Sequence, residues 1–228
     1  TRVRRLFFRP MNSSPERLSR TIWVGVGLVI ILLCGTFVIA RLSPRSTPKP
    51  QLPVIGSITD FALTNQAGQF VSLADLRGRV WVADIIFTRC GGPCPRMTKQ
   101  MALLQAALPA DSRAKLVTLT TDPEFDTPEV LQKYSARFNV NAERWLFLTG
   151  TKQQIAALGI DSLKLTAVEK KPEDRTDADD LFIHSTIFVI VDKQGRLRGA
   201  FETGGDSVEW TNVQPTILTA VQQLEREP

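Results

Sequence analysis

Segments with strand-like and helix-like patterns alternate along the chain from Phe61 onward, and this order limits the possible folds more than any other feature of the sequence. Three short runs rich in apolar and β-branched residues are typical of buried strands: RVWVADIIF, KLVTLTT and WLFLTG. The helical patterns lie in PRMTKQMALLQAAL, DTPEVLQKYSARF and TKQQIAALG. Because strands that alternate with helices form sheets covered on both faces, the order predicts an α/β fold with a central mixed β-sheet flanked by helices.

Hairpins and a last helix are predicted on either side of this pattern. FALTNQAGQFVSL predicts an N-terminal β-hairpin with its turn at 65–68, and FIHSTIFVIVDKQGRLRGAFE predicts a strand, a turn around Gln194–Gly195 and another strand. A final helix is expected from about Ser207 to Glu225, with an irregularity at Pro215. The segment LTAVEKKPEDRTDADD is polar and rich in turn residues, so it is predicted to be a long loop.

The first 56 residues have a different composition. Ile22 to Ala40 contains 19 residues without a charge, enough to cross the bilayer core as a helix. A cleaved signal peptide has a shorter apolar region and a cleavage site after it, whereas here Arg41 follows directly, so an uncleaved anchor is favoured over cleavage. We expect a basic segment at 1–21, a single transmembrane helix at 22–40, a proline-rich tether at 41–56 and a folded domain at 57–228.

The formal net charge of +5 is distributed unevenly along the chain. Residues 1–50 carry +8, so the remainder carries −3. An acidic body argues against a nucleic-acid-binding groove. The arginines before the apolar run predict a cytoplasmic N-terminus, which would place the body on the periplasmic side of a bacterial inner membrane. A translation start at Met11 would weaken this asymmetry.

Two cysteines, Cys90 and Cys94, lie in a turn between a predicted strand and a predicted helix, in FTRCGGPCPRM. If the helix begins near Gly92, their side chains lie about one turn apart, roughly 6 Å between Cα atoms, on one face. This spacing permits a disulfide, and it equally permits two sulfur ligands to one metal ion. Backbone N–H groups at a helix start lower the pKa of a thiol, which suits either a nucleophile or a soft ligand.

His184 is the only histidine in the chain, and it lies at the beginning of a predicted strand. A lone histidine in such a place is by default a structural residue, but the presence of two thiols makes a ligand the competing interpretation. Two sulfurs and one imidazole are acceptable to Cu(I), whereas structural zinc almost always has four protein ligands. Cys34 lies in the apolar run and is predicted to be an apolar filler, so zinc is disfavoured.

Four segments carry a resemblance to a known family: IIFTRCGGPCPRM, LTTDPEFDTPEVLQKYSARF, WLFLTG and IHSTIFVIVDKQGRLRG. In this order the chain resembles the Sco/SenC family of membrane-anchored copper proteins over most of residues 58–225. The resemblance implies a thioredoxin-like fold and a site for Cu(I) or Cu(II) made from Cys90, Cys94 and His184. It also implies delivery of copper, or of reducing equivalents, to the binuclear copper centre of cytochrome c oxidase, with subunit II of that oxidase as the acceptor.

Two residues depart from the family pattern. Gly91 stands where the family usually has proline, which predicts a more flexible loop between the cysteines. Ile183 stands where the family usually has aspartate, which removes a carboxylate that could orient His184.

A thiol-disulfide oxidoreductase of the thioredoxin-like class, using Cys90 and Cys94, is the alternative function. Enzymes of this class usually have CxxC and a cis-proline that faces it. This chain has CxxxC and no proline between Pro172 and Pro215, so copper binding is favoured.

Other residues near the motif are predicted to be structural. Met97 and Met101 have helical spacing, which favours core packing over thioether ligation. The DPEFDT segment is predicted to build a turn and a helix cap, with Asp126 or Thr127 as the capping residue. Core or rim positions are expected for Trp81, Trp145 and Trp210.

Overall fold

The structure is a computed structural model, and it describes residues 15–42, 51–176, 181–205 and 208–228. The chain divides into two compact units, Thr1–Gln51 and Leu52–Pro228. In the first unit one helix, α1 (Pro15–Leu42), contains the predicted membrane segment, and most of its described side chains are large, apolar and exposed. Among the residues that the structure describes, no helix is both long enough and apolar enough to cross a membrane.

The second unit is built on an eight-stranded mixed sheet. Its strands are β1 (Gly56–Ser57), β2 (Ala62–Asn65), β3 (Phe70–Ser72), β4 (Trp81–Ile86), β5 (Lys115–Thr120), β6 (Trp145–Thr149), β9 (Ile187–Val191) and β10 (Arg196–Glu202), and two further strands, β7 (Ala167–Glu169) and β8 (Phe182–His184), form a separate antiparallel pair. The order across the sheet is β1-β10-β9-β4-β5-β6-β2-β3. The three central strands β4, β5 and β6 are parallel, and the other pairs are antiparallel.

Five helices belong to this unit: α2 (Leu73–Leu76), α3 (Cys94–Ala107), α4 (Pro128–Ala136), α5 (Lys152–Ala156), which continues as a π-helix over Ala157–Ser162, and α6 (Trp210–Arg226). They cover the sheet on both faces. On one face, α3, α4 and α6 pack over Val82 and Ile86 of β4. On the other face, α2, α5 and the π-helix pack over Trp81 and Ile85. Alternate residues of one strand therefore enter different core clusters, as expected for a strand covered on both sides.

The predicted α/β class, the N-terminal hairpin and the three central strands are confirmed. The predicted helix cap is confirmed as well, because Thr127 accepts a hydrogen bond from the backbone N–H of Val130 at the start of α4. Met97 and Met101 are fully buried in the core, as are Trp81 and Trp145, while Trp210 is partly buried.

Four details differ from the sequence predictions. FIHSTIFVIV, expected as one strand with His184 at its beginning, is divided into β8 and β9, which lie in different sheets, and His184 is the last residue of β8. Strand β1 was missed because two residues are too few to show a pattern, and it pairs Gly56, the last residue of the expected tether, with Leu197. The expected loop contains β7 and a 3₁₀ turn at Pro172–Asp174, while its residues 177–180 lie outside the described residues. The final helix begins at Trp210 rather than near Ser207, and Pro215 is accommodated within it.

Candidate metal centre

The two cysteines of the motif lie in different secondary structure, one in a turn and one in a helix. Strand β4 ends at Ile86, and α3 begins at Cys94 with Pro93 as the residue before it. The helix thus begins two residues after Gly92, so Cys94 is helical while Cys90 lies in the preceding turn, where its N–H donates to the carbonyl of Phe87. Cys94 is fully buried and Cys90 is partly buried, so one sulfur lies deeper than the other.

His184 is brought to the cysteines by the β7–β8 pair. It is the last residue of β8 and is paired with Ala167 of β7. Its Nε2 atom lies 3.1 Å from Sγ of Cys94 and 4.0 Å from Sγ of Cys90. The three candidate ligand atoms all lie within 4.8 Å of one another. Residues separated by 90 and 94 positions in sequence thus converge on one point.

The other nitrogen of the His184 ring is held by the backbone. Nδ1 lies 3.2 Å from the carbonyl oxygen of Ser185, and when it donates a proton to that oxygen, Nε2 presents a lone pair towards the sulfurs. The ring also packs edge-on against Phe87, with 5.9 Å between centroids, and Phe182 packs against the same phenyl ring at 5.1 Å. The imidazole orientation is therefore fixed by one hydrogen bond and by the ring of Phe87, which Phe182 supports in turn.

The two thiols have opposite pKa shifts. A hydrogen bond from the Cys94 thiol, with further hydrogen bonds from the backbone N–H groups of Cys94 and Gly92, lowers the pKa of Cys90 to about 4. Burial raises the pKa of Cys94, and the neighbouring Cys90 sulfur raises it further. At neutral pH the pair holds one thiolate at Cys90 and one proton at Cys94.

A buried carboxyl group lies in β4, on the face of the sheet that packs against α3. Asp84 is fully buried, and its Oδ1 accepts a hydrogen bond of 2.6 Å from the hydroxyl of Thr118. Its Oδ2 has no hydrogen-bond partner among the described residues. Burial raises the pKa of Asp84 to about 7. Asp84 was not predicted as a site residue, although an aspartate inside an otherwise apolar strand was a usable signal.

The DPEFDT segment braces the cysteine loop. Asp126 is fully buried and accepts hydrogen bonds from the backbone N–H and hydroxyl of Thr88 and from the hydroxyl of Thr120. Asp122 forms an ion pair of 2.5 Å with Arg89, whose guanidinium group lies 4.1 Å from the ring centroid of Phe125. The segment thus does more than the predicted turn and cap, because it fixes the two residues that precede Cys90.

The two family departures have simple structural settings. A Cβ atom at Gly91 would meet nothing within 4 Å, so packing does not require glycine there. Ile183 is 55% exposed, and because side chains alternate along a strand it is directed away from the face that carries His184. The carbonyl of Ser185 orients the His184 ring, as an adjacent carboxylate would do.

The chemistry of this donor set fits a soft metal ion. Two thiol sulfurs and one imidazole nitrogen lie close enough to contact a single ion, and soft sulfur ligands select Cu(I). Within the described part of the chain, no other group of three potential ligands of this kind is found. Cys34 is exposed on α1 in the other unit.

Comparisons with known proteins identify the family of this chain. The family model described as SCO1/SenC matches residues 53–215. The SCO1 protein homolog of Bacillus subtilis is 37% identical over 147 residues, covering 64% of this chain and 73% of that protein. A protein of Stutzerimonas stutzeri named for copper binding is 31% identical over 150 residues, covering 65% of this chain and 70% of that protein.

A solved structure provides the fold comparison. BsSco, described as a member of the Sco family of cytochrome c oxidase assembly proteins with a disulfide switch, has a TM-score of 0.61 and 32% identity. The match covers 75% of this chain and 97% of that one. The expected thioredoxin-like Sco fold, with a curled central sheet and flanking helices, is thereby confirmed for the Leu52–Pro228 unit.

Proposed function

Because the chain belongs to the SCO1/SenC family, we propose that it binds one copper ion through Cys90, Cys94 and His184 and delivers it to the binuclear copper site of cytochrome c oxidase. The observation that carries this proposal is the convergence of two sulfurs and one imidazole nitrogen within 4.8 Å. Copper is the cargo of this reaction, so the site has to bind it firmly and also release it.

The protonation states of the three residues suit the binding of a cation. Cys90 offers a thiolate at neutral pH, and His184 offers the lone pair of Nε2. Cys94 holds a proton that it gives up when its sulfur becomes a ligand, so binding releases about one proton per chain at neutral pH.

Differences in burial give the ligands different roles in transfer. Cys94 is buried at the start of α3, whereas Cys90 and His184 are partly exposed. A set of three protein ligands leaves a fourth position through which an incoming ligand of the acceptor can approach. Exchange then begins at the exposed side, with Cys94 as the last ligand to be replaced.

The proposal includes anchoring of the chain in a bacterial inner membrane, with the copper site on the periplasmic side. It is supported by the 19 uncharged residues of Ile22–Ala40, by their inclusion in α1 and by the basic residues that precede them. An anchored carrier stays close to a membrane-bound acceptor, which raises its effective concentration there. The acceptor we propose is subunit II of the oxidase, in keeping with the description of BsSco and its family.

Thiol-disulfide exchange is a second candidate because one observation favours it. A partly exposed Cys90 thiolate beside a buried, protonated Cys94 is the arrangement of an attacking and a resolving cysteine. The Cys90 thiolate would attack one sulfur of a partner disulfide, which releases the other partner sulfur as a thiolate. Cys94, after losing its proton, would then attack Sγ of Cys90. The chain would be left as the Cys90–Cys94 disulfide and the partner as a dithiol.

A transfer experiment separates the two functions. The full chain, carrying one equivalent of Cu(I), is mixed anaerobically with metal-free reduced subunit II, and the copper bound to each protein is measured after separation. We expect copper to move to the acceptor, and Cys90→Ser, which keeps one sulfur ligand, to bind copper more weakly and to transfer less of it. Cys34→Ser is the matched control, since that thiol lies outside the site and its replacement leaves transfer unchanged.

The same mixture with oxidised subunit II tests the alternative. Rapid appearance of two acceptor thiols, together with failure of the reduced chain to retain copper, would establish the oxidoreductase and exclude the copper carrier.

A further inference from the structure

The end of the sheet opposite the metal centre carries a concentration of positive charge. It lies where β4, β5 and β6 begin, whereas the cysteines follow the end of β4. Two neighbouring surface hollows at this end, of about 460 and 570 Å³, share Arg79 and Arg113 in their walls. We call this surface the basic pole and define it by its six cations: Arg79, Arg113, Lys115, Arg144, Lys193 and Arg226.

These cations outnumber the acidic residues around them. The same hollows contain three carboxylates, on Asp111, Glu143 and Glu225. One of these is already engaged, since Oε1 of Glu225 accepts hydrogen bonds of 2.9 Å from the hydroxyl of Ser112 and the N–H of Arg113. The surface is therefore positive, although residues 51–228 together carry −3.

Several of the cations have no counter-ion within the structure. Within the described residues, the side chains of Arg79, Arg113 and Arg226 make neither a hydrogen bond nor an ion pair. Lys115 has a lowered pKa, caused by burial and then by the nearby Arg79. The three arginines that lack internal partners are therefore suited to an external anionic surface.

The folded unit begins at the margin of this surface. The carbonyl of Leu52, its first residue, accepts hydrogen bonds from Arg198, which also pairs with Glu227 at 2.7 Å. Glu227 directly follows Arg226, and its carbonyl accepts a hydrogen bond from Lys193, so both neighbours belong to the basic pole. The segment that leads from the anchor therefore joins the fold next to the positive charge.

We propose that the basic pole docks on the surface of a membrane by binding the phosphate headgroups of anionic lipids. The inference rests on the membrane anchor of the proposed function. Arginine and lysine near an anionic leaflet are attracted to it within about a Debye length. Because β4 spans six residues at about 3.3 Å each, docking holds the metal centre roughly 20 Å or more away from the lipid, facing outward.

Hydrogen–deuterium exchange on the full chain tests this orientation. The chain is reconstituted in vesicles of pure phosphatidylcholine or of phosphatidylcholine with phosphatidylglycerol. We expect slower exchange at 77–80, 109–115 and 141–144 only in the anionic vesicles, with the protection lost in 0.5 M salt. Equal exchange in both lipids, or protection that appears instead around Cys90, would overturn the inference.

Matched charge reversals show whether the basic pole is responsible. Arg79→Glu/Arg113→Glu/Arg226→Glu is expected to abolish the protection, while Lys99→Glu/Lys133→Glu/Arg137→Glu makes the same change in net charge elsewhere and retains it. Unchanged copper binding and unchanged circular dichroism verify that both variants are folded. Protection that persists in the first variant contradicts the inference. Equal loss of protection in both variants also contradicts it, because the effect would then depend on net charge and not on the basic pole.

Flotation of the full chain with vesicles tests the membrane anchor independently of the basic pole. A chain that floats with neutral vesicles in high salt is anchored, so failure of protection then counts against docking alone. A chain that floats only with anionic vesicles at low salt, and loses this property in the first variant, supports the basic pole and contradicts the anchor.

Discussion

His184 is a suitable ligand because its two nitrogens have different partners. The Ser185 carbonyl lies 3.2 Å from Nδ1, so the proton belongs there and Nε2 is left for a metal or a thiol. The usual family carboxylate before the histidine is absent, since Ile183 occupies that position. A backbone carbonyl can perform the same task, because either acceptor fixes the tautomer and the plane of the ring.

The low pKa of Cys90 leads to a direct prediction. In a Cys34→Ser background without metal, alkylation of Cys90 by iodoacetamide should reach its plateau near pH 5 and fall to half near pH 4. The Cys94 thiol is the largest cause of the shift, so Cys94→Ala should move this midpoint upward, while Cys94→Ser retains a donor and moves it less. A midpoint near pH 8 in the parent chain would contradict the assignment of the thiolate.

Asp84 predicts a pH dependence of stability. Its pKa is raised from 3.8 to about 7 by burial, so between these pH values the folded state retains a proton that the unfolded state has lost. The free energy of unfolding of the metal-free chain should therefore fall with rising pH over this range, by about 1.4 kcal/mol per pH unit from this group. Asp84→Asn removes the contribution, and urea unfolding at several pH values from 4 to 8 measures the difference. Parallel curves for the two proteins would show that Asp84 ionises normally.

The cysteine motif and the distal histidine could be identified from sequence, but their surroundings could not. Cys90, Cys94 and His184 are rare residue types, so a single chain shows them plainly. Asp84 and Asp126 act through burial, and burial depends on which helix covers which face of the sheet. A residue pattern carries little information about such packing, because the same aspartate would be ordinary on an exposed strand.

The loop between β4 and α3 depends on the DPEFDT segment for its position. Asp126 accepts three hydrogen bonds, two of them from Thr88. Asp126→Asn replaces one of the two accepting oxygens by an NH₂ group, which can only donate, so we expect the free energy of unfolding to fall by about 1–3 kcal/mol. Thermal or urea unfolding of the metal-free chain measures this loss. An equal loss in Asp122→Asn, whose partner Arg89 is partly exposed, would argue against a special role for Asp126.

Two glycines provide a paired test of local packing. A Cβ at Gly91 would meet no atom within 4 Å, whereas a Cβ at Gly204 would lie 2.5 Å from Cβ of Thr186. Gly91→Ala should therefore stabilise the protein by about 0.4–1 kcal/mol, because alanine lowers the conformational entropy of the unfolded chain. Gly204→Ala should destabilise it by roughly 1–3 kcal/mol through overpacking. Thermal unfolding of both variants measures these opposite signs, and equal shifts would contradict the loop geometry.

Element order was predictable because the central strands are continuous apolar runs and the helices have clear periodicity. The β7–β8 pair could not be predicted, because its strands Ala167–Glu169 and Phe182–His184 are each three residues long and are separated by a polar segment. This pair is what places His184, so the part of the fold that completes the site was the part with the weakest local signal. Its strands are specified by pairing with each other rather than by their own sequence.

On the scale of the whole Leu52–Pro228 unit, the proposed metal centre and the basic pole lie at opposite ends of the parallel strands. The cysteines follow the end of β4, while Arg79 and Lys115 lie at the beginnings of β4 and β5. A carrier that holds its cargo away from the lipid can present it to the extramembrane part of an acceptor. This polarity follows from strand direction, because the ends of parallel strands lie on one edge of a sheet and their beginnings on the other.

Copper K-edge X-ray absorption of the full chain, loaded anaerobically with one equivalent of Cu(I), identifies the atoms that bind the ion. We expect two sulfur scatterers and one nitrogen scatterer, with loss of the nitrogen in His184→Ala, loss of one sulfur in Cys90→Ser and no change in Cys34→Ser. A His184→Ala spectrum identical to that of the parent chain, or two sulfurs retained in Cys90→Ser, would contradict a copper site made from Cys90, Cys94 and His184.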